Sequence, residues 1–160
     1  MAFAEPANPP SRRAPFMWAV SAALGWILPI AAQVVWLILL PRPGWLHLTV
    51  AAVTVVLMAL HVFVVPVWRY RVHRWEISPQ AAFTRSGWLI QQRRIAPISR
   101  VQTVDTYRGP IDRMFKVANV TVTTASSAGA VHIRALDNDV ADRVVEQLTD
   151  IAALGAEDAT

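Results

Sequence analysis

The stretch FMWAVSAALGWILPIAAQVVWLILL, residues 16–40, and the stretch WLHLTVAAVTVVLMALHVFVVPVW, residues 45–68, contain no Asp, Glu, Lys or Arg. Each is longer than the roughly 18 uncharged residues that indicate a membrane-spanning helix. Only the tetrapeptide PRPG separates them, so the two helices must be antiparallel neighbours. The sequence therefore predicts a transmembrane helical hairpin over residues 16–68.

The segment before the hairpin, residues 1–15, contains four prolines and few apolar side chains. This composition favours disorder, because little apolar surface is available for burial. We therefore expect a disordered, proline-rich cytoplasmic tail. Arg12 and Arg13 resemble a twin-arginine export signal, but the apolar run behind them is far longer than a signal core of about 7–15 residues. A non-cleaved anchor is the expectation.

Arginine placement predicts the orientation of the hairpin. Five arginines flank the two spans, whereas the loop between them holds only one, Arg42. Cytoplasmic flanks carry the excess of basic residues. We therefore expect a multi-pass protein of the cell (inner) membrane with both termini in the cytoplasm. The five flanking arginines are Arg12, Arg13, Arg69, Arg71 and Arg74.

Ionisable residues inside membrane spans are candidates for function. His47 and His61 stand fourteen positions apart on one helix. This is about 21 Å along the axis, so they cannot share a metal ion or one proton transfer. We expect His61 to be a neutral structural residue that bonds to Gln33 or Ser21. The alternative function is an accessory subunit of a transport or proton-coupled complex that uses His61 and a first span kinked by Pro29.

After residue 68 apolar and polar residues alternate, which is typical of strands. We expect about seven strands, with Val120, Val122, Val131 and Ile133 facing the core. The segments with the clearest alternation are 72–78, 81–85, 88–95, 101–107, 120–124 and 131–135.

The last element is predicted to be an amphipathic helix. Val140, Val144, Leu148 and Ile151 recur at helical spacing, and Asp137 or Asp139 is a suitable N-cap. We expect this apolar stripe to close one end of the strand domain, and Gly155 to mark the end of the helix. The expected domain spans residues 69–153, and an acidic tail spans residues 154–160.

Composition excludes several functions. The chain has no cysteine, so disulfides, thiolate metal sites and cysteine nucleophiles are absent. No nucleophile elbow, HExxH or phosphate loop occurs. We expect His73 and His132 to be surface residues, and we expect no catalytic residue, no cofactor and no metal. The net charge of +4 is concentrated in residues 69–116, near the membrane, so nucleic acid is not an expected partner.

Four short motifs carry a resemblance to a known family. They are Ile98-Ser99-Arg100-Val101-Gln102, Gly109-Pro110-Ile111-Asp112-Arg113, residues 120–125 and Ala135-Leu136-Asp137. Together with the preceding hairpin, residues 70–150 resemble the YdbS-like bacterial pleckstrin-homology-like (PH-like) domain family. Where this chain has Lys116 we expect a glycine in the family's pattern. If that glycine serves a positive φ, the turn before Val117 is altered here.

The resemblance implies an α+β domain in which two nearly orthogonal antiparallel sheets, about seven strands in all, are capped by a C-terminal helix. It also implies no enzymatic activity. The implied partner is a larger membrane protein that carries several PH-like domains, or a second copy of this chain. The sequence thus favours a membrane-anchored scaffold for protein–protein assembly.

Two sets of residues are candidate binding sites. Juxtamembrane bases gain about 1 kcal/mol each near an anionic lipid surface, and the alternative roles of these arginines are topology and protection of a strand edge. For the set around Gly109, an Asp-Arg pair that fixes the loop is favoured, and the alternative is a protein-docking face. The lipid set is Arg69, Arg71, Arg74, Arg93, Arg94 and Arg100, and the partner set is Tyr107, Arg108, Asp112 and Arg113.

Overall fold

Each predicted span is helical along its length and consists of more than one helical segment. The first has 26 residues and the second 29, and both are apolar enough to cross a membrane. The computed structural model describes residues 6–40, 44–87, 90–125 and 129–157. The predicted loop at 41–43 lies outside the described residues. The helical segments are α1 (Ala14–Gly25), α2 (Ile27–Leu39), α3 (Gly44–Ala59), a π-helical turn (Leu60–Val64) and α4 (Val65–Val72).

The first span is interrupted at Trp26, between α1 and α2. Pro29 follows three residues later and has no backbone N–H to donate to the carbonyl of Gly25. The Trp26 N–H keeps its regular bond to the carbonyl of Ala22 and also bonds to the carbonyl of Ala23, a 3₁₀-type contact that tightens the turn. The irregularity expected from Pro29 therefore occurs, one turn before the proline itself.

The domain after the spans consists of two three-stranded antiparallel sheets, with strand orders β1-β2-β3 and β4-β5-β6. This confirms the predicted PH-like, α+β architecture, although the described residues contain six strands, not about seven. A 3₁₀ turn (Ile98–Arg100) joins the sheets, and the short helix α5 (Pro110–Met114) follows β4. The strands are β1 (Arg74–Ile77), β2 (Ala81–Ser86), β3 (Gln92–Pro97), β4 (Val101–Tyr107), β5 (Val117–Thr124) and β6 (Val131–Asp137).

The core lies between the sheets and helix α6 (Asn138–Glu157). The four strand residues predicted to face inward, Val120, Val122, Val131 and Ile133, are all buried. The apolar stripe of α6 packs on the same core, so the predicted capping helix is confirmed. The expected helix end at Gly155 is wrong, because α6 continues to Glu157. One glycine costs a helix only about 1 kcal/mol and does not by itself terminate it.

Residues 6–15 differ from the expectation of a disordered tail, whereas residues 1–5 of that tail lie outside the described residues. Asn8 exchanges two backbone hydrogen bonds with Trp75 at the outer edge of β1. The buried Ser11 donates its N–H to the carbonyl of Ala135 and its hydroxyl to the carboxylate of Asp137, both at 2.7 Å. Residues 6–15 are therefore ordered against the domain, and the chain on both sides of the hairpin lies together.

Lys116 adopts a left-handed backbone conformation, with φ of 55°. The resemblance suggested a glycine there, and a glycine adopts this φ without the steric cost of a Cβ. The turn keeps its left-handed geometry in spite of the lysine. The Lys116 carbonyl accepts the N–H of Asn138, so the turn is tied to the start of α6.

Candidate membrane-facing site

Three side chains meet where the membrane spans join the domain. The guanidinium carbon of Arg69 in α4 lies 4.4 Å from the ring centroid of Trp18 in α1. The ring of His73, the residue after α4, lies 5.4 Å from that of Trp18. This stack fixes the ends of the two spans against each other, since a cation over an indole face is attracted by the ring electrons.

His73 is buried, so the prediction of a surface position is wrong. Its Nδ1–H donates to the carbonyl of Arg69 at 2.8 Å. Burial, followed by the positive charge of Arg69, lowers the pKa of His73 to about 4. His73 is therefore neutral at physiological pH and cannot act as a base exposed to solvent.

A groove of about 1200 Å³ opens beside this stack, between the second span and the outer faces of β2, β3 and β6. The wall from the span contains Leu57, Leu60 and Val64, all at least half exposed. The wall from the domain contains Arg94, His132 and Arg134. The groove thus joins an apolar surface at membrane depth to a basic surface on the domain.

Positive groups crowd the basic wall. Partial burial and then the charges of Arg134 and Arg94 lower the pKa of His132. The described residues that line the groove include three arginines and three histidines, but no Asp or Glu. The described lining residues therefore supply three arginines and no acidic side chain.

The partner set surrounds the turn between β4 and α5. Asp112 accepts the Gly109 N–H at 2.9 Å and the side-chain amide of Asn119 at 3.0 Å. Arg108 instead forms an ion pair with Asp142 of α6 at 2.7 Å. The turn is fixed by these bonds, and the ion pairs of the described residues include no Asp-Arg pair within the turn itself.

Tyr107 remains largely exposed, at 66%. Arg113 is exposed as well. Both lie close to the turn and belong to neither the core nor the groove. Among the described residues, no group of three or more His, Asp or Glu is arranged to hold a metal ion.

Residues 17–152 match the family model described as "Bacterial PH domain". The chain belongs to the bacterial PH domain family. The match includes the two spans as well as the strand domain. UPF0699 transmembrane protein YdbS of Bacillus subtilis (strain 168) is 34% identical over 121 residues, which are 72% of each chain. No solved structure matches the chain. The transmembrane relative and the two apolar helices identify this chain as a membrane protein.

The six arginines predicted to bind lipid do not lie together in this bacterial PH domain protein. Arg69 and Arg94 line the groove, whereas Arg71, Arg93 and Arg100 are exposed outside it. Arg74 donates to the carbonyls of Tyr70 and His73 in its own chain segment. The candidate site is therefore smaller than the predicted set.

Sequence reasoning missed Arg134 in the bacterial PH domain. Arg134 lies in the acidic part of the sequence, so the charge count hid it. The available signal was its position in β6, where it follows His132 at the spacing of one strand face, opposite the buried Val131 and Ile133.

His61 links the two spans, but its predicted partners are wrong. Its Nδ1 accepts the indole N–H of Trp26 at 3.2 Å. Gln33 bonds to Thr54, and the Ser21 hydroxyl donates to the Met17 carbonyl. The bond to Trp26 accounts for both an intramembrane histidine and a tryptophan far from the membrane surface. It gives no support to the alternative transport role.

Proposed function

We propose that the protein is a non-enzymatic scaffold that assembles with another membrane protein at the cytoplasmic face of the cell (inner) membrane. The observation that supports this most directly is the outer edge of β4. Within the described residues β4 pairs only with β5, and most of its side chains are exposed. It contains neither proline nor lysine, the residues that commonly protect an edge strand.

The outer edge of the other sheet, at β1, differs from that of β4. The edge of β1 is covered by the protein's own N-terminal segment through Asn8 and Trp75. The edge of β4 instead ends at the exposed Tyr107, and the exposed Arg113 follows in α5. Tyr and Arg are enriched in interface hot spots. A strand added from a partner would bond to the β4 backbone, while Tyr107 and Arg113 supplied specificity. The partner is a larger membrane protein with several PH-like domains, or a second copy of this chain.

Photo-crosslinking tests this assembly in native membranes. We expect p-benzoylphenylalanine in place of Tyr107 to give one defined protein adduct, and Arg113→Glu to weaken it several-fold. Position 146, on the exposed face of α6, is the matched control and should give none. An adduct of twice the chain mass would assign self-association. No adduct at position 107, or equal adducts at both positions, would contradict the proposal.

The orientation is part of the same proposal. Residues 6–15 pack against the domain, which supports a position of both flanks of the hairpin on one side of the membrane. The excess of arginine in those flanks favours the cytoplasm. Because the chain has no cysteine, Arg42→Cys and Ser99→Cys each introduce a single label site. In spheroplasts an impermeant maleimide should label only Arg42→Cys, and the reverse pattern would contradict this orientation.

We also propose contact with anionic lipid as a secondary role. The domain follows α4 directly, so its basic residues stand within reach of the leaflet that faces it. Each such residue gains about 1 kcal/mol near an anionic surface.

A further inference from the structure

The groove beside the second span has two chemically different halves. Leu57, Leu60 and Val64 belong to the spanning helix and are 50%, 50% and 53% exposed. In a bilayer the molecules that cover such side chains are lipid acyl chains. The opposite wall carries Arg94, His132 and Arg134. A molecule that satisfies both halves must be an amphiphile with an anionic head.

The described residues that line the basic half include no Asp or Glu. Among the described residues neither Arg69 nor Arg134 forms an ion pair with a carboxylate. Asp112 lines a smaller cavity that shares Arg69 and Arg134, but among the described residues it forms no ion pair with either arginine, and its Oδ2 accepts the bonds from Gly109 and Asn119. Arginine guanidinium groups are well suited to bind phosphate through paired N–H donors.

The size of the groove agrees with a large ligand. Its volume of about 1200 Å³ exceeds the roughly 300–1000 Å³ of pockets for drug-sized molecules. Arg69 approaches it from the end of the span, and Arg94 and Arg134 approach it from the domain. The second span ends at Val72, so these two parts meet near the end of the membrane-spanning helix.

We propose that this groove binds a single anionic phospholipid, with its phosphate among Arg69, Arg94 and Arg134 and one acyl chain along Leu57, Leu60 and Val64. The inference rests on the lipid contact of the proposed function, and it assigns that contact to a lateral site. A bound lipid would fix the domain against the membrane in one orientation, whereas diffuse attraction of surface arginines would not.

Native mass spectrometry of the full chain in mild detergent tests this site. We expect the wild type to retain one phosphatidylglycerol and to bind phosphatidylcholine at least tenfold more weakly. Arg134→Gln should weaken phosphatidylglycerol binding about tenfold, as expected for loss of one charge-assisted contact. Arg71→Gln is the matched control, because Arg71 is exposed in α4, two residues after Arg69, but lies outside the groove.

Two further experiments test the apolar half of the groove and whether the bound phosphate belongs to a lipid or to a free phosphate compound. Leu60→Trp, which fills the apolar wall without a change in charge, should also weaken phosphatidylglycerol binding. Free glycerol phosphate at equal concentration should not compete. Equal losses for Arg71→Gln and Arg134→Gln, full binding by Leu60→Trp, or competition by glycerol phosphate would each overturn the proposal. The adduct at position 107 reports on the scaffold separately and should persist in Arg134→Gln.

Discussion

Replacing Leu148 by alanine should lower the free energy of unfolding of the strand domain by about 2–5 kcal/mol. Leu148 is fully buried and belongs to the core cluster that includes Val120, Ile133 and Leu136. Truncation removes its transfer free energy and leaves a cavity between α6 and the sheets. The loss is large because α6 is the element that closes this end of the domain.

Urea unfolding of the full chain in detergent micelles, followed by tryptophan fluorescence, gives the measurement. Leu148→Met keeps most of the side-chain volume and should cost less than about 1.5 kcal/mol. Glu146→Ala, two positions away on the exposed face of α6, should remain within about 0.5 kcal/mol of the wild type. A Leu148→Ala variant as stable as Glu146→Ala would show that α6 does not cap the core.

The parts of the fold that follow local periodicity could be predicted from the sequence. The apolar runs predicted the two spans, and the alternation of apolar and polar residues predicted the inward faces of β5 and β6. The apolar residues at helical spacing that end at Ile151 predicted α6 in the same way. Each of these patterns lies within one helix or strand, so it predicts that element without information about contacts with distant segments.

Contacts between distant segments could not be predicted in this way. Asn8 pairs with Trp75, and nothing in a proline-rich composition indicates an edge strand 67 positions later. Arg69 and Arg134 are 65 positions apart and meet only because β6 faces the end of the second span. The candidate groove is a product of this packing, so sequence charge counts identified two of its three arginines.

The partner of His61 shows a further limit. The sequence predicts Gln33 or Ser21 as this partner, whereas the structure has Trp26. The structure contains a break at Trp26 and a π-helical turn over Leu60–Val64, and both change which side chains face the neighbouring helix. Uniformly apolar sequence carries no signal for either irregularity except Pro29.

Acidification from pH 7.5 to pH 5 should destabilise the folded protein by about 2 kcal/mol through His73 alone. Burial and the charges of Arg69 and Arg134 lower its pKa to about 4 in the folded protein, from an ordinary value of 6.5. Below pH 6.5 the unfolded chain binds a proton that folded His73 does not accept. The loss therefore begins near pH 6.5, grows down to about pH 4 and is then constant.

His73→Asn tests the origin of this loss, because asparagine can donate to the Arg69 carbonyl but does not titrate. Its unfolding free energy should fall about 2 kcal/mol less than that of the wild type between pH 7.5 and pH 5. Most carboxylates titrate below this range. His132→Asn is the comparison, and it should keep most of the wild-type pH dependence because His132 is exposed. Equal profiles for wild type and His73→Asn would contradict the buried, neutral state of His73.

The positive charges of Arg69 and Arg134 contribute to the low pKa of His73. Saturating phosphatidylglycerol should therefore raise the pKa of His73 in the wild type and reduce the loss of unfolding free energy at low pH. It should not do so in Arg134→Gln.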